Sequence, residues 1–181
     1  MLVMLDRDGV LNEETGNYVK TPGELVMIAG SAGAVRQLND AGHRVVVCTN
    51  QSCIGKGIID VAMLERIHAK LHGELAAAGA RLDDLLVAPD APWAATERRK
   101  PGPGMLLEAM RRFRASPADA VFIGDSLRDL QAAAKVGCRR ILVRTGNGAK
   151  AQADGIPADV LPVSVYGDLA AAVAALLKPP P

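Results

Sequence analysis

Two aspartates one residue apart, Asp6 and Asp8, follow directly on the apolar run Leu2-Val3-Met4-Leu5. Side chains two positions apart leave an extended backbone on the same side, so two carboxylates there repel unless a cation or a proton intervenes. The pair points to a metal, an acid–base pair, or both; the plain alternative is a solvated turn with incidental acids. Three more polar clusters recur downstream. Thr49-Asn50-Gln51-Ser52 supplies a hydroxyl, two amides and backbone donors, and Arg98-Arg99-Lys100-Pro101-Gly102 concentrates positive charge. Gly124-Asp125-Ser126 adds a third acid, with Asp129 one helical turn later. Brought together, the acids can share a cation while Thr49 and Lys100 face the same point. Oxygen-only ligands favour magnesium, which keeps several waters and pairs with phosphate.

The elements that must position these clusters alternate along the chain. Short runs rich in branched apolar residues predict buried strands at 2–5, 44–48, 82–88, 120–123 and 140–143. Between them, helical spacing predicts helices at 31–41 (capped by Ser31 and closed by Gly42), 60–78, 105–113, 127–136 and 169–177. Segments 12–27 and 89–103 read as irregular. Such α/β alternation predicts a parallel sheet with right-handed crossovers and helices on both faces. Its strands would deliver all four clusters to the carboxyl edge, where open sheets bind ligands. No repeat or linker interrupts the pattern, which predicts one domain over 1–178 and a frayed tail at 179–181. His68 and His72 lie one turn apart on the 60–78 helix. As a metal pair they lack a third ligand at a recognised spacing, so they read as a solvated face.

The 181 residues carry a formal net charge of +1, which excludes a general attraction to nucleic acid or membrane. Phosphate affinity must come from local cations. No stretch reaches membrane-spanning length and no basic leader precedes an apolar run, so a cytoplasmic protein is expected. Aromatics are scarce, predicting an aliphatic core. Cys48, Cys53 and Cys138 are odd in number and widely spaced, consistent with reduced thiols: Cys48 as core, and Cys53, in the loop after Ser52, as a candidate to line the site without a partner base. Gly55-Lys56-Gly57 lacks the spacing of a P-loop, and Gly102-Pro103-Gly104 lacks the third glycine of a dinucleotide fingerprint.

In this order the four clusters resemble the motifs of the haloacid dehalogenase (HAD) superfamily of aspartate-based phosphatases. Thr49-Asn50-Gln51-Ser52, Arg99-Lys100-Pro101, Gly124 to Ala133 and Val143-Arg144-Thr145-Gly146 are similar to the group of heptose-1,7-bisphosphate 7-phosphatases, near relatives of the histidinol-phosphate phosphatases. The resemblance implies a Rossmann-like α/β fold without a large cap domain. It implies Asp6 as nucleophile, forming an aspartyl-phosphate, and Asp8 as general acid and then base. Thr49 and Lys100 would steady the transferring phosphoryl oxygens. Magnesium would be held by the Asp6 carboxylate, the Asp8 backbone carbonyl and Asp125, with Asp129 orienting a metal-bound water or Lys100. Substrate contacts would come from Glu14, Gly16, Asn17 and Tyr18, from Asn50, Gln51 and Ser52, and from Arg99 and Ser126.

The resemblance breaks at three places, the first being one extra residue between Glu14 and Tyr18. Cys53 stands where relatives usually have glycine. The relatives' structural zinc uses a Cys-x-His and a Cys-x-Cys pair, matched here by Ala88, Asp90, Thr96 and Arg98, so no zinc is expected. Trp93 is then the expected apolar anchor of the 89–103 loop, with an Asp90–Arg98 pair as a minor addition. The implied activity is magnesium-dependent removal of the 7-phosphate from heptose 1,7-bisphosphate. The sequence leaves the oligomeric state open, with a monomer expected, and Arg99, Lys56, Arg128 and Arg144 are candidates for a positive rim. Histidinol phosphate is the alternative substrate. A phosphate-binding regulatory protein without turnover is the alternative class.

Overall fold

The computed structural model describes residues 1–178; the expected frayed tail lies outside them. Six parallel strands form one sheet in the order β3-β2-β1-β4-β5-β6. They are β1 (Leu2–Leu5), β2 (Arg44–Asn50), β3 (Asp84–Ala88), β4 (Ala120–Gly124), β5 (Arg139–Val143) and β6 (Ser164–Tyr166). β1 sits between β2 and β4, with Leu5 in register with Val47 on one side and Ile123 on the other. The chain therefore turns outward in both directions from β1, and the crevice at that switch point receives the ends of β1, β2 and β4.

Alternation along each strand divides the core into two layers. Val3, Leu5, Val45, Val47, Val121, Ile123, Ile141 and Val143 face one way. They pack against α1 (Ser31–Asp40), α3 (Val61–Ala77) and α7 (Leu169–Leu176). Leu2, Met4, Val46, Cys48, Leu86 and Phe122 face the other way, against α4 (Gly104–Arg112) and α5 (Leu127–Val136). The strands are thus buried on both faces, as their unbroken apolar runs require. Among the described residues no large cap domain is inserted, and no helix is long and apolar enough to cross a membrane.

Several local expectations change. Ser31 does not cap α1: Gly30 takes the cap position at φ 83°, and the Ser31 hydroxyl donates to the Leu11 carbonyl (2.8 Å), tying the helix to the loop after β1. β3 starts at Asp84 because Asp83 turns back to accept from the Val45 amide (2.8 Å). A short α2 (Ser52–Gly55), α6 (Gly148–Asp154) and the edge strand β6 were not anticipated. Trp93 is 75% exposed and lies outside the apolar core, so it is not the buried anchor of the loop. The 89–103 loop is held instead by polar clips. Asp90 Oδ2 accepts from the Thr96 amide (3.0 Å) and hydroxyl (2.5 Å). Arg98 does not pair with Asp90; its Nε donates to the Val87 carbonyl (2.6 Å), and it pairs with Glu108 on α4. Gly104 lies where a Cβ would collide with the Glu97 carbonyl, so the loop folds flat onto its own backbone.

Candidate active site

Each strand ending at the crevice delivers one reactive group. The Asp6 amide donates to the Ile123 carbonyl (3.0 Å), so the sheet ladder itself places Asp6 beside the end of β4. Asp125 follows two residues after Ile123, and Thr49 two residues after Val47. Lys100 arrives from the clipped loop. Its backbone is gripped by the Asn50 side chain, which donates to the Lys100 carbonyl (2.9 Å) and accepts from its amide (3.0 Å). The buried ammonium lies 2.8 Å from Asp6 Oδ2 and 2.7 Å from Asp129 Oδ1. Asp129 is in turn fixed by Ser126, whose amide (3.0 Å) and hydroxyl (2.7 Å) both donate to its Oδ2 at the start of α5.

Three acids against one lysine leave the cluster short of positive charge. One carboxylate oxygen from each of Asp6, Asp125 and Asp129 lies within 4.8 Å of the others. Burial raises the Asp6 pKa well above the usual carboxylate range; Lys100 pulls it down, but Asp129 and Asp125 push it up again. Burial and the Asp129 charge push Asp125 up to about 7. Burial works against the Lys100 charge, yet Asp129 and Asp6 more than offset it and hold the ammonium protonated. Asp125 Oδ2 accepts from the Asn147 amide (2.8 Å). Gly9 and Gly146, both at positive φ, flank that oxygen so closely that a Cβ on either would collide with it. Hard oxygen donors, clustered and under-neutralised, fit a small divalent cation such as magnesium.

Asp8 faces differently. Its carboxylate lies outside the Asp6–Asp125–Asp129 group and is gripped by the fully buried Arg7: Nε to Oδ1 at 3.1 Å, Nη2 to Oδ1 at 2.8 Å and Nη2 to Oδ2 at 3.0 Å. Asn12 donates to Oδ1 (2.8 Å) and Gln51 to Oδ2 (2.8 Å). Burial alone would raise the Asp8 pKa, but the Arg7 charge and these hydrogen bonds outweigh it and hold the carboxyl below its usual range.

A cleft of about 290 Å³ opens above this centre, lined by Asp8, Glu14, Gly16, Tyr18, Asn50, Ser52, Arg99 and Arg128 among others. Asn17 is exposed outside that lining, Ser126 lines a neighbouring hollow, and Arg144 turns away to donate to Gln152. Gln51 is only 1% exposed; its amide is engaged with Asp8 and with the Thr49 hydroxyl (2.8 Å), behind the cleft rather than in it. Cys53 is buried, with its thiol toward Gln51 Oε1 (3.6 Å). At the rim, the Lys56 ammonium stands 5.3 Å from the Tyr18 ring centre, and the Tyr18 hydroxyl lies 3.3 Å from Ser52 Oγ. Arg99 Nη1 donates to the Asp90 carbonyl (3.1 Å), and burial followed by the charge of Arg128 lowers its pKa. His68 is no part of a solvated face: its Nε2 lies 3.1 Å from Arg7 Nη1, whereas His72 is exposed. Arg7, Asn12 and Asn147 carry no signal in their spacing, and the one-turn spacing of His68 from His72 says nothing of its contact with Arg7; only the folded contacts bring these out.

Comparison with known proteins accords with this geometry. A family model described as HAD-hydrolase-like matches residues 97–172. The D-glycero-beta-D-manno-heptose-1,7-bisphosphate 7-phosphatase of Bordetella bronchiseptica is 43% identical over 178 residues, 98% of either chain. That of Pseudomonas aeruginosa is 38% identical over 177 residues, again 98% of either chain. The crystal structure of the B. bronchiseptica phosphatase, complexed with magnesium and phosphate, superposes with a TM-score of 0.92 over 97% of either chain. A D,D-heptose 1,7-bisphosphate phosphatase from Burkholderia thailandensis has a TM-score of 0.77 at 41% identity, covering 98% of this chain and 99% of its own. Aspartates at the ends of β1 and β4, a lysine held between Asp6 and Asp129 and relatives matched from end to end lead to one assignment: the chain belongs to the heptose-1,7-bisphosphate 7-phosphatase family of HAD-type phosphoric monoester hydrolases.

Proposed function

We propose that this protein removes the 7-phosphate from D-glycero-D-manno-heptose 1,7-bisphosphate. The observation that carries the reading is a second cationic locus in the same cleft. Arg99 and Arg128 both line the pocket that contains Asp8, and burial, then the charge of Arg128, lowers the Arg99 pKa. Two guanidiniums facing one space are relieved by an anion, and a guanidinium fork matches phosphate oxygens bidentately. A bisphosphate supplies one such anion beyond the one being transferred; histidinol phosphate does not.

Asp6 attacks phosphorus in line and the Asp6–phosphorus bond forms as the sugar oxygen departs. Lys100, held between Asp6 and Asp129, and the Thr49 hydroxyl donate to the equatorial phosphoryl oxygens, where transfer gains most of its stabilisation. Asp8 supplies a proton to the departing oxygen and then takes one from the water that cleaves the aspartyl-phosphate. The donors around Asp8 favour its ionised form; the negative charge of an arriving phosphate acts the other way and favours the proton. Magnesium would be held by the Asp6 and Asp125 carboxylates and the Asp8 carbonyl, and when bound it offsets the repulsion between Asp6 and the phosphate dianion.

Steady-state assays on both substrates test the assignment. A higher kcat/KM for the heptose bisphosphate than for histidinol phosphate is expected, with Arg99→Ala harming the bisphosphate more than an aryl phosphate. Equal losses on the two would place Arg99 in the reaction centre or the fold and remove the argument for a second anion.

A further inference from the structure

Arg7 is a full positive charge with no exposure to solvent. Burying an ion costs several kcal/mol unless it is both paired and hydrogen-bonded. Asp8 supplies the pairing through Nε and Nη2. That leaves Nη1, whose hydrogen-bond partner among the described residues is His68 Nε2 at 3.1 Å, projecting from the middle of α3. A guanidinium only donates, so Nε2 is the acceptor and the imidazole proton sits on Nδ1. Burial, reinforced by the Arg7 charge, lowers the His68 pKa to about 4, which keeps that acceptor available at neutral pH. The helix is well placed to act as a support. Leu64, Ile67, Leu71 and Leu75 fix it against the core, and the Asp60 carboxylate caps its start by accepting from the Met63 amide (2.7 Å).

We infer that His68 is a positioning residue for Asp8, acting through Arg7. A two-point grip from a planar guanidinium sets the plane of the Asp8 carboxylate, whereas Asn12 and Gln51 each hold a single oxygen. The grip is only as rigid as the guanidinium. With Nη1 released, Arg7 can rotate about its last bonds and carry the carboxylate with it. General acid catalysis depends on hydrogen-bond reach to the departing oxygen, so this displacement weakens proton delivery more than it weakens binding.

This inference rests on Asp8 being the general acid, and leaving-group dependence tests the two separately. A 4-nitrophenolate leaves without needing a proton, while a sugar alkoxide does not. With magnesium saturating, kcat/KM covers only the steps through phosphoenzyme formation. His68→Ala is expected to lower kcat/KM about tenfold on heptose 1,7-bisphosphate, and by less than about twofold on 4-nitrophenyl phosphate. His68→Gln, whose amide oxygen reaches the same point, should restore the sugar-phosphate rate to within about threefold, and His72→Ala should change neither rate. Should His68→Ala fail to fold, His68→Leu keeps the bulk without the acceptor and carries the same comparison. Equal losses on both substrates, or a folded His68→Gln no better than His68→Ala, would overturn the inference. Asp8→Asn serves as the benchmark: if it too spares neither substrate preferentially, the general-acid reading falls, and the inference with it.

Discussion

The attack proposed for Asp6 requires a charged carboxylate, yet Asp6 is buried and surrounded by two other acids. Lys100 alone cannot balance three, which is why substitutions here should act on chemistry before stability. Asp6→Asn is expected to abolish turnover while the thermal melt stays close to wild type, since the amide retains the shape but is a poor nucleophile. Near-wild-type activity, with deamidation excluded by mass spectrometry, would overturn the nucleophile assignment. Asp8→Asn should slow turnover by about 10²–10⁴-fold. The pH dependence of stability follows from His68. Its folded pKa of about 4 lies below the ordinary value, so it contributes stability that is fully present above about 6.5 and lost as pH falls through 4. Acid titration of the melting temperature should show a steeper loss between these values in wild type than in His68→Gln. The acids, Thr49 and Lys100 were legible in the sequence because charged and hydroxyl residues at buried strand ends are costly unless used. Arg7, Asn12 and Asn147 were not, since nothing in their spacing tells a cage residue from a loop residue. Gln51 read as a substrate contact for the same reason; the turn into α2 faces it inward.

The 89–103 loop shows how an element can be foreseen without its mechanics. Its position and its delivery of Arg99 and Lys100 were readable from the flanking strand and helix patterns. Its fastening was not: Trp93 offered the largest apolar surface and yet lies on the outside, while Asp90, Thr96 and Arg98 bind one another's surroundings. Asp90→Ala removes the acceptor for the Thr96 amide and hydroxyl and should therefore cost about 0.5–1.5 kcal/mol in denaturant unfolding. It should also lower kcat, because the loosened loop no longer fixes the Asp90 backbone carbonyl against which Arg99 rests. Trp93→Ala should stay within about 0.5 kcal/mol of wild type. We propose that this polar clip does the work that zinc does elsewhere, so metal analysis should find no stoichiometric zinc and zinc chelation should leave magnesium-restored activity unchanged. One tightly held zinc per chain, lost along with activity, would sink that proposal. β6 and α6 escaped notice for a simpler reason. A three-residue edge strand and a seven-residue helix give too few periods to be told from a loop, although β6 closes one edge of the sheet.

Across the whole molecule, charge and sheet order act together. Asp125 titrates near 7 without a cation, above the roughly 3.9 of an unfolded chain, so it contributes stability present below about pH 4 and lost as pH rises through 7. A bound cation reverses that loss. Magnesium should accordingly raise the melting temperature of chelator-treated protein more at pH 8 than at pH 5, where protons compete for the same oxygens; an equal rise at both would argue against binding at these carboxylates. The central place of β1 has another consequence, one of time. Asp6 leaves the ribosome well before β4, which forms one wall of its crevice, and Asp125, which follow roughly 120 residues later. At about 5–20 residues per second, the amino-terminal strand waits some 6–24 s for that neighbour. During this interval β1 can pair only with β2, leaving an apolar edge open to any other nascent strand. Completion of the crevice and protection of that edge are one event, so the first moment at which this chain can hydrolyse a phosphate is also the first at which β1 is safe from aggregation.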